Sequence, residues 1–211
     1  MIKDAQQKGK LMDEKVMFNL SYGLFVLTAK NGEKDNGCIV NTVIQVTSQP
    51  NRIIAVVNKA NYTHDMIVET GEFNVSVLSE KAEFETFKHW GFQSGADTDK
   101  LIGIEYARSA NGLIYLLNQV NSYMSAKVCD KIDLGTHTMF IADVTDGQVL
   151  SGDSSATYAY YHKNIKPSQK PAAKKGFICT VCGYVYEGEE LPEDFICPLC
   201  KHPASDFKPL D

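Results

Sequence analysis

Apolar residues recur at alternate positions along most of the chain, and this spacing predicts strands. The runs GLFVLTA (23–29), GCIVNTVIQVTS (37–48) and RIIAVVN (52–58) are rich in β-branched and aromatic residues, with turn-forming KNGEKDNG (30–37) and QPN (49–51) between them. FNVSVLS (73–79) alternates as a half-buried strand does. GLIYLL (112–117), SYMSAKVCDKI (122–132) and HTMFIADVTDGQVL (137–150) predict later strands. Helical spacing is rarer. MDEKVMFNLSY (12–22) predicts a short amphipathic helix, and HDMIVE (64–69) a second, with Thr63 as its N-cap and Gly71 as its stop. Residues 80–90 predict a third, with Phe84, Phe87 and Trp90 three apart.

Many strands of uneven length with short helices between them predict a mainly β fold, a barrel with helical insertions. There is no βαβ alternation, and no G-x-G-x-x-G follows a strand, so a dinucleotide-binding Rossmann unit is not expected. The longest purely aliphatic stretch, Ile53-Ile54-Ala55-Val56-Val57, falls far short of the ~20 residues needed to cross a bilayer. The start, MIKDAQQKGK, has charges with no apolar core to follow, so no secretory signal is expected. The expected location is cytoplasmic.

Charge divides the chain. The formal net charge of −5 argues against a nucleic-acid or anionic-membrane partner. Residues 1–162 carry 14 basic and 19 acidic residues, net −5; residues 163–175 carry five lysines and no acid; residues 176–211 carry two basic and seven acidic residues, again net −5. The basic strip KNIKPSQKPAAKK has two prolines and one large aliphatic residue, too little to bury, and reads as a flexible linker or a surface loop. As a coil it would span ~20 Å r.m.s.. The chain therefore divides into a barrel domain (1–162), a linker (163–175) and a small C-terminal module (176–211).

The module carries the sharpest signal. Cys179, Cys182, Cys197 and Cys200 form two C-x-x-C turns separated by fourteen residues. Each turn presents two thiolates to one ion, and two turns complete a tetrahedron suited to zinc or iron. So short a segment has no room for a large core, so metal binding supplies much of its folding free energy. In a reducing compartment clustered cysteines favour metal over disulfides. Cys38 and Cys129 stand apart and read as small buried hydrophobes.

C-x-x-C-G-Y-V-Y (179–186), C-P-x-C (197–200), the acidic loop EGEELPEDF and the closing Ser205-Asp206-Phe207 resemble rubredoxin, in the compact form attached to rubrerythrins. That resemblance implies one iron ion cycling between Fe3+ and Fe2+; a zinc ribbon is the alternative. Lys201 departs from the family's glycine at a position where a positive φ is expected, costing ~1 kcal/mol.

In the barrel domain, polar groups interrupt apolar runs. Asn41-Thr42 breaks C-I-V-N-T-V-I, Thr47-Ser48 closes the same run, and Asn58-Lys59-Ala60-Asn61-Tyr62-Thr63 leads into a helix start. Hydroxyls, amides and a lysine at a helix N-terminus suit a phosphate, or serve as ordinary turn and capping groups. The stretches N-G-C-I-V-N-T-V-I-Q-V-T-S, N-K-x-N-Y-T-H, E-T-G-E-F-N-V-S-V-L and G-T-H-T-M-F-I-A-D-V resemble the flavin-reductase-like FMN-binding family. Flavoredoxin and the high-molecular-weight rubredoxins, which add a rubredoxin tail, share this pattern.

The resemblance implies a split β-barrel, a homodimer and FMN near the subunit interface. It assigns Asn41, Thr42, Val43 and Ile44 to the isoalloxazine ring, Thr47 and Ser48 to the phosphate end, and Lys59 and Thr63, with Asn58 and Asn61 beside them, to the remaining phosphate side. His137 is assigned to the nicotinamide side as the catalytic residue, and His162 closes the site from the C-terminal side. The implied activity is electron transfer from NAD(P)H through FMN to the iron and on to an acceptor such as a flavodiiron oxygen or nitric oxide reductase. The alternatives are a flavoredoxin-like carrier reduced by another protein, and a free-flavin or ferric reductase.

Overall fold

The computed structural model describes residues 14–167 and 176–210, and its organising element is one seven-stranded antiparallel sheet. In chain order the strands are β1 (Phe25–Asn31), β2 (Lys34–Val40), β3 (Val43–Ser48), β4 (Asn51–Asn58), β5 (Glu72–Leu78), β8 (Val120–Asp133) and β9 (His137–Val149), with helices α1 (Tyr62–Thr70) and α2 (Phe84–Gly91) and the hairpin β6 (Tyr106–Arg108)–β7 (Ile114–Leu116) inserted. The spatial order is β2-β1-β5-β8-β9-β4-β3. The two outermost strands, β2 and β3, are consecutive in sequence and joined only by Asn41-Thr42. That short corner curls the sheet on itself, the geometry of a split barrel.

Alternation along β1 explains two cores. Leu27 and Ala29 face the barrel interior with Cys38, Phe73 and Phe140. Leu24 and Val26 face the other way, against Phe87 and Trp90 of α2. A strand buried on both faces must be nearly all apolar, as GLFVLTA is, and its one polar side chain, Thr28, donates its hydroxyl to Ile114 O. Gly37 permits the close crossing: a Cβ there would lie 2.8 Å from Trp90 Cζ3 and 2.8 Å from Leu27 O.

Several expectations change. The apolar run 37–48 is not one strand but two, broken at Asn41-Thr42, where Val56 N–H donates to Thr42 O and Thr42 Oγ1 donates to Val56 O. In KNGEKDNG only Gly32 and Glu33 turn, and Lys34–Gly37 pair with β1. Asp35 is held in that strand by a two-pronged pair with Arg108 at 3.0 and 2.7 Å. The N-cap of α1 is Asn61, not Thr63; Gly71 ends the helix as expected, at φ 71° with its N–H on Ile67 O. The third helix begins at Phe84 rather than at 80. The expected helix over 12–22 is a 3-10 segment at Glu14–Asn19, and its first residues lie outside those described. Cys38 is buried, but Cys129 is exposed beside a β8 bulge, its Sγ donating to Ile141 O at 3.3 Å.

A final helical segment, Tyr158–Ile165, packs Tyr161 and Ile165 onto the α2 core. It carries ordered structure three residues past the expected boundary at 162. Residues 168–175 of the expected linker lie outside those described. The C-terminal module is a three-stranded sheet, β11 (Val185–Tyr186), β10 (Phe177–Cys179) and β12 (Phe207–Pro209) in spatial order. Phe177, Tyr184, Tyr186, Phe195 and Phe207 enclose its cysteines. Among the described residues no helix is long and apolar enough to cross a membrane.

Candidate functional site: a four-sulfur centre beside a polar barrel corner

The four cysteine sulfurs lie within 4.8 Å of one another. Cys179 and Cys200 Sγ are 3.6 Å apart, and Cys182 and Cys197 Sγ are 3.5 Å apart. A tetrahedron with metal–sulfur bonds of about 2.3 Å has edges of about 3.8 Å, so the site fits one zinc- or iron-sized ion. Two matching turns build it: Gly183 N–H donates to Cys179 O and Lys201 N–H to Cys197 O, each at 2.9 Å. The residues after the second cysteine of each pair, Gly183 (φ 83°) and Lys201 (φ 61°), are both left-handed, as expected at 201.

Burial pushes the Cys182 thiol up to about 11, and Cys200 rises further for the same reason. Cys182 and Cys200 therefore hold their protons until a cation replaces them. N–H groups of Leu199 and Cys200 face the Cys197 sulfur, and that of His202 faces Cys200, dipoles that favour the thiolate form. Cys179, Cys182 and Cys197 are buried; Cys200 alone is partly exposed.

In the barrel, β4 ends and β9 begins at the same place, so Asn58 pairs with His137. Asn58 Oδ1 accepts from Ala60 N–H at 2.9 Å, and His137 Nδ1 lies 2.9 Å from Thr136 Oγ1. Asn41 and Thr42 line a cavity of about 240 Å³ with Tyr22 and Tyr158. His162 stands edge-on to Tyr158, ring centroids 4.5 Å apart, and burial together with Lys166 lowers its pKa. Val43 is buried, whereas Ile44 through Ser48 are exposed, Ile44 and Val46 about half so.

A second cavity, of about 160 Å³, is lined by Asn36, Asn58, Asn61, Thr63 and Lys100. Thr63 Oγ1 accepts from Asn36 Nδ2 at 3.0 Å, whereas the buried Asn36 Oδ1 has no partner. Lys100 is buried and donates to Gly37 O and Trp90 O at 2.9 and 3.0 Å; burial lowers its pKa. Burial raises the Cys38 thiol, and a bond to Thr63 partly offsets that. An unpartnered buried acceptor, a fixed cation and an α1 N-terminus without a side-chain cap fit a phosphorylated, hydroxyl-bearing group such as a flavin's tail.

The expected contacts do not all converge within this chain. Ser48 pairs with Asn51 at the start of β4, and Asn58 ends it, so seven steps of ~3.3 Å put them roughly 23 Å apart. Lys59 turns away from the cavity to Asp133, Nζ to Oδ1 2.7 Å, and holds that carboxyl below its usual range. Asn36, Lys100 and Tyr158 escape a reading of the sequence. Asn36 sits in a turn-like run, Lys100 in an irregular segment, and Tyr158 outside any periodic pattern.

A curled antiparallel sheet with a polar corner, joined to a four-sulfur tetrahedron, defines a two-centre protein built for a ligand and a metal. Residues 17–169 match the flavin reductase like domain, and residues 177–208 match the rubrerythrin, rubredoxin-like domain. The chain belongs to the flavin-reductase-like family and carries a rubredoxin-like module, as do the high-molecular-weight rubredoxins. It is 37% identical to the high molecular weight rubredoxin of Moorella thermoacetica, over 90% of this chain and 96% of that one. It is 36% identical to a ferric-chelate reductase (NAD(P)H) of Archaeoglobus fulgidus, over 72% of this chain and 89% of the other. An NADH:FAD oxidoreductase of Streptomyces globisporus shares the fold, with a TM-score of 0.61 at 17% identity over 74% of this chain and 92% of that one. This family implies a bound flavin, and the tail implies one iron. The expected mainly β barrel and four-cysteine centre are both present.

Proposed function

We propose that this chain is a cytoplasmic flavo-rubredoxin that moves electrons from NAD(P)H to FMN, then to the four-cysteine iron and on to an acceptor protein of the flavodiiron class. One observation carries the reading: Cys200, the one partly exposed ligand of the metal centre, lines the same cavity as Asn58, Asn61 and Thr63. A flavin takes electrons in pairs and passes them on singly, which matches a nicotinamide donor to a one-electron iron. On this reading Asn41–Ile44 run along the ring, Asn58, Asn61 and Thr63 hold the phosphate side, and His137 faces the donor.

The outward face of β3 supports a homodimer, in which Ile44 and Val46 are covered and Thr47 and Ser48 approach the flavin of the partner subunit. The acidic run 187–194 suits docking on a basic acceptor face. Fused to a barrel, the iron stays near the flavin at an effective concentration of order mM.

Desalting tests the cofactors. The protein should elute yellow with about one flavin and one iron per chain; flavin lost to the small-molecule fraction, or zinc in place of iron, rules the scheme out. Similarity to a ferric-chelate reductase over 151 residues favours a second reading, in which a soluble ferric chelate accepts the electrons. Ferric-chelate turnover that survives Cys200→Ser at full rate would favour that reading.

A further inference from the structure

The second cysteine knuckle does more than hold metal. Leu199, Cys200 and Lys201 close one side of the 160 Å³ cavity whose other side is Asn36, Asn61, Thr63 and Lys100 of the barrel domain. Phe92, just past α2, packs on the cysteine cluster, and Lys166 Nζ donates to Val181 O at 3.2 Å. The iron module is thus seated on the barrel by both knuckles.

Charge in this cavity is one-sided. Among the described residues no carboxylate lines it, and both charged residues that do are lysines. Lys100 is fixed by two carbonyls; Lys201 arrives from the iron module. The α1 N-terminus opens on the cavity without a side-chain cap, and the buried, unpartnered Asn36 Oδ1 is an acceptor, suited to a ligand hydroxyl beside the phosphate rather than to the phosphate itself. Lys201 also holds a left-handed backbone, φ 61°, where glycine would be unstrained. A side chain kept at a strained position beside a cavity raises a question of function.

We propose that Lys201 completes the phosphate subsite of the flavin from the iron module, so that flavin binding and docking of the iron module strengthen each other. The inference rests on the flavin reading above and goes beyond it, because it assigns a flavin contact to the rubredoxin-like tail. By linkage, whatever factor the bound phosphate adds to docking, docking adds to flavin affinity. An outside acceptor that takes the Cys200 edge must first displace the module, so acceptor binding loosens the flavin.

The test is the affinity of FMN and of riboflavin, which lacks the phosphate, for the full-length iron-loaded chain. Lys201→Glu should raise the Kd for FMN about fivefold and leave riboflavin within about twofold; Lys201→Gly should raise it about threefold. Lys201→Arg should bind as wild type. The glycine variant decides if the glutamate variant loses iron, because it removes the cation while easing the backbone, so a purely structural Lys201 predicts unchanged or tighter binding there. Equal changes for FMN and riboflavin, or no change for FMN, overturn the proposal. Failure of the wild-type chain to bind either flavin would overturn the flavin reading itself, a different result from binding that ignores position 201.

Discussion

Asn58 and His137 stand opposite each other across the β4–β9 ladder, at the end of the sheet where the Asn41-Thr42 corner also lies. This pairing sets a titratable ring beside the polar groups assigned to the flavin. His137→Ala should slow reduction of the bound flavin by NADH about 100-fold or more, as expected from the ~10²–10⁴ contributed by positioned proton donors, and leave flavin affinity within about twofold. Stopped-flow absorbance and a binding titration check the two halves separately.

Thr63 and Asn36 are bonded in the barrel interior at 3.0 Å. Thr63→Ala strands a buried amide, which should cost about 1–3 kcal/mol in urea unfolding; Thr63→Ser should restore most of it. Gly95→Ala should act on the same group, because a Cβ there would lie 1.9 Å from Asn36 Oδ1. It should weaken flavin binding.

Metal removal should unfold the C-terminal module alone. Its aromatic shell surrounds four sulfurs that lose their common partner without the ion. Calorimetry should show the transition assigned to residues 176–210 disappear on chelation while that of the barrel stays within a few degrees. Binding displaces thiol protons, so iron retention should fall as pH falls, seen as loss of the ferric–thiolate absorption.

Tyr158 should contribute to the alkaline limit together with Tyr161, whose hydroxyl burial pushes up to about 12. Burial, then Tyr22, raises the Tyr158 hydroxyl above the usual tyrosine value. The unfolded chain ionises Tyr158 near pH ~10 and the folded chain only above that. Its contribution is therefore complete below about pH 10 and lost as pH rises through the raised folded value. Tyr158→Phe should make the thermal midpoint fall less steeply above pH ~10 and leave it little changed near pH ~7.

What the sequence made legible was local. The metal ligands could be read because two C-x-x-C turns need no distant partner, and Gly71 because an αL stop is a property of one residue. Thr63 was misread as a cap because its hydroxyl is taken by Asn36, 27 residues earlier in the chain. The β2–β3 corner shows in the sequence as the polar pair Asn41-Thr42 within an apolar run, but neither residue is Gly or Pro, so nothing local marks the pair as a turn between two strands rather than polar positions within one. Asp35 and Asn36 look like turn residues until Arg108, 73 residues away, holds Asp35 in a strand. Lys100 reaches its carbonyls only once α2 has folded over β2.

The central claim is that flavin and iron on one chain form a relay from NAD(P)H. Anaerobic stopped-flow mixing of the purified protein with NADH, with no third protein present, tests it most directly. The relay predicts bleaching of the flavin band and then of the ferric–thiolate bands. Flavin that bleaches while the iron stays ferric, or no bleaching of either band, would contradict it.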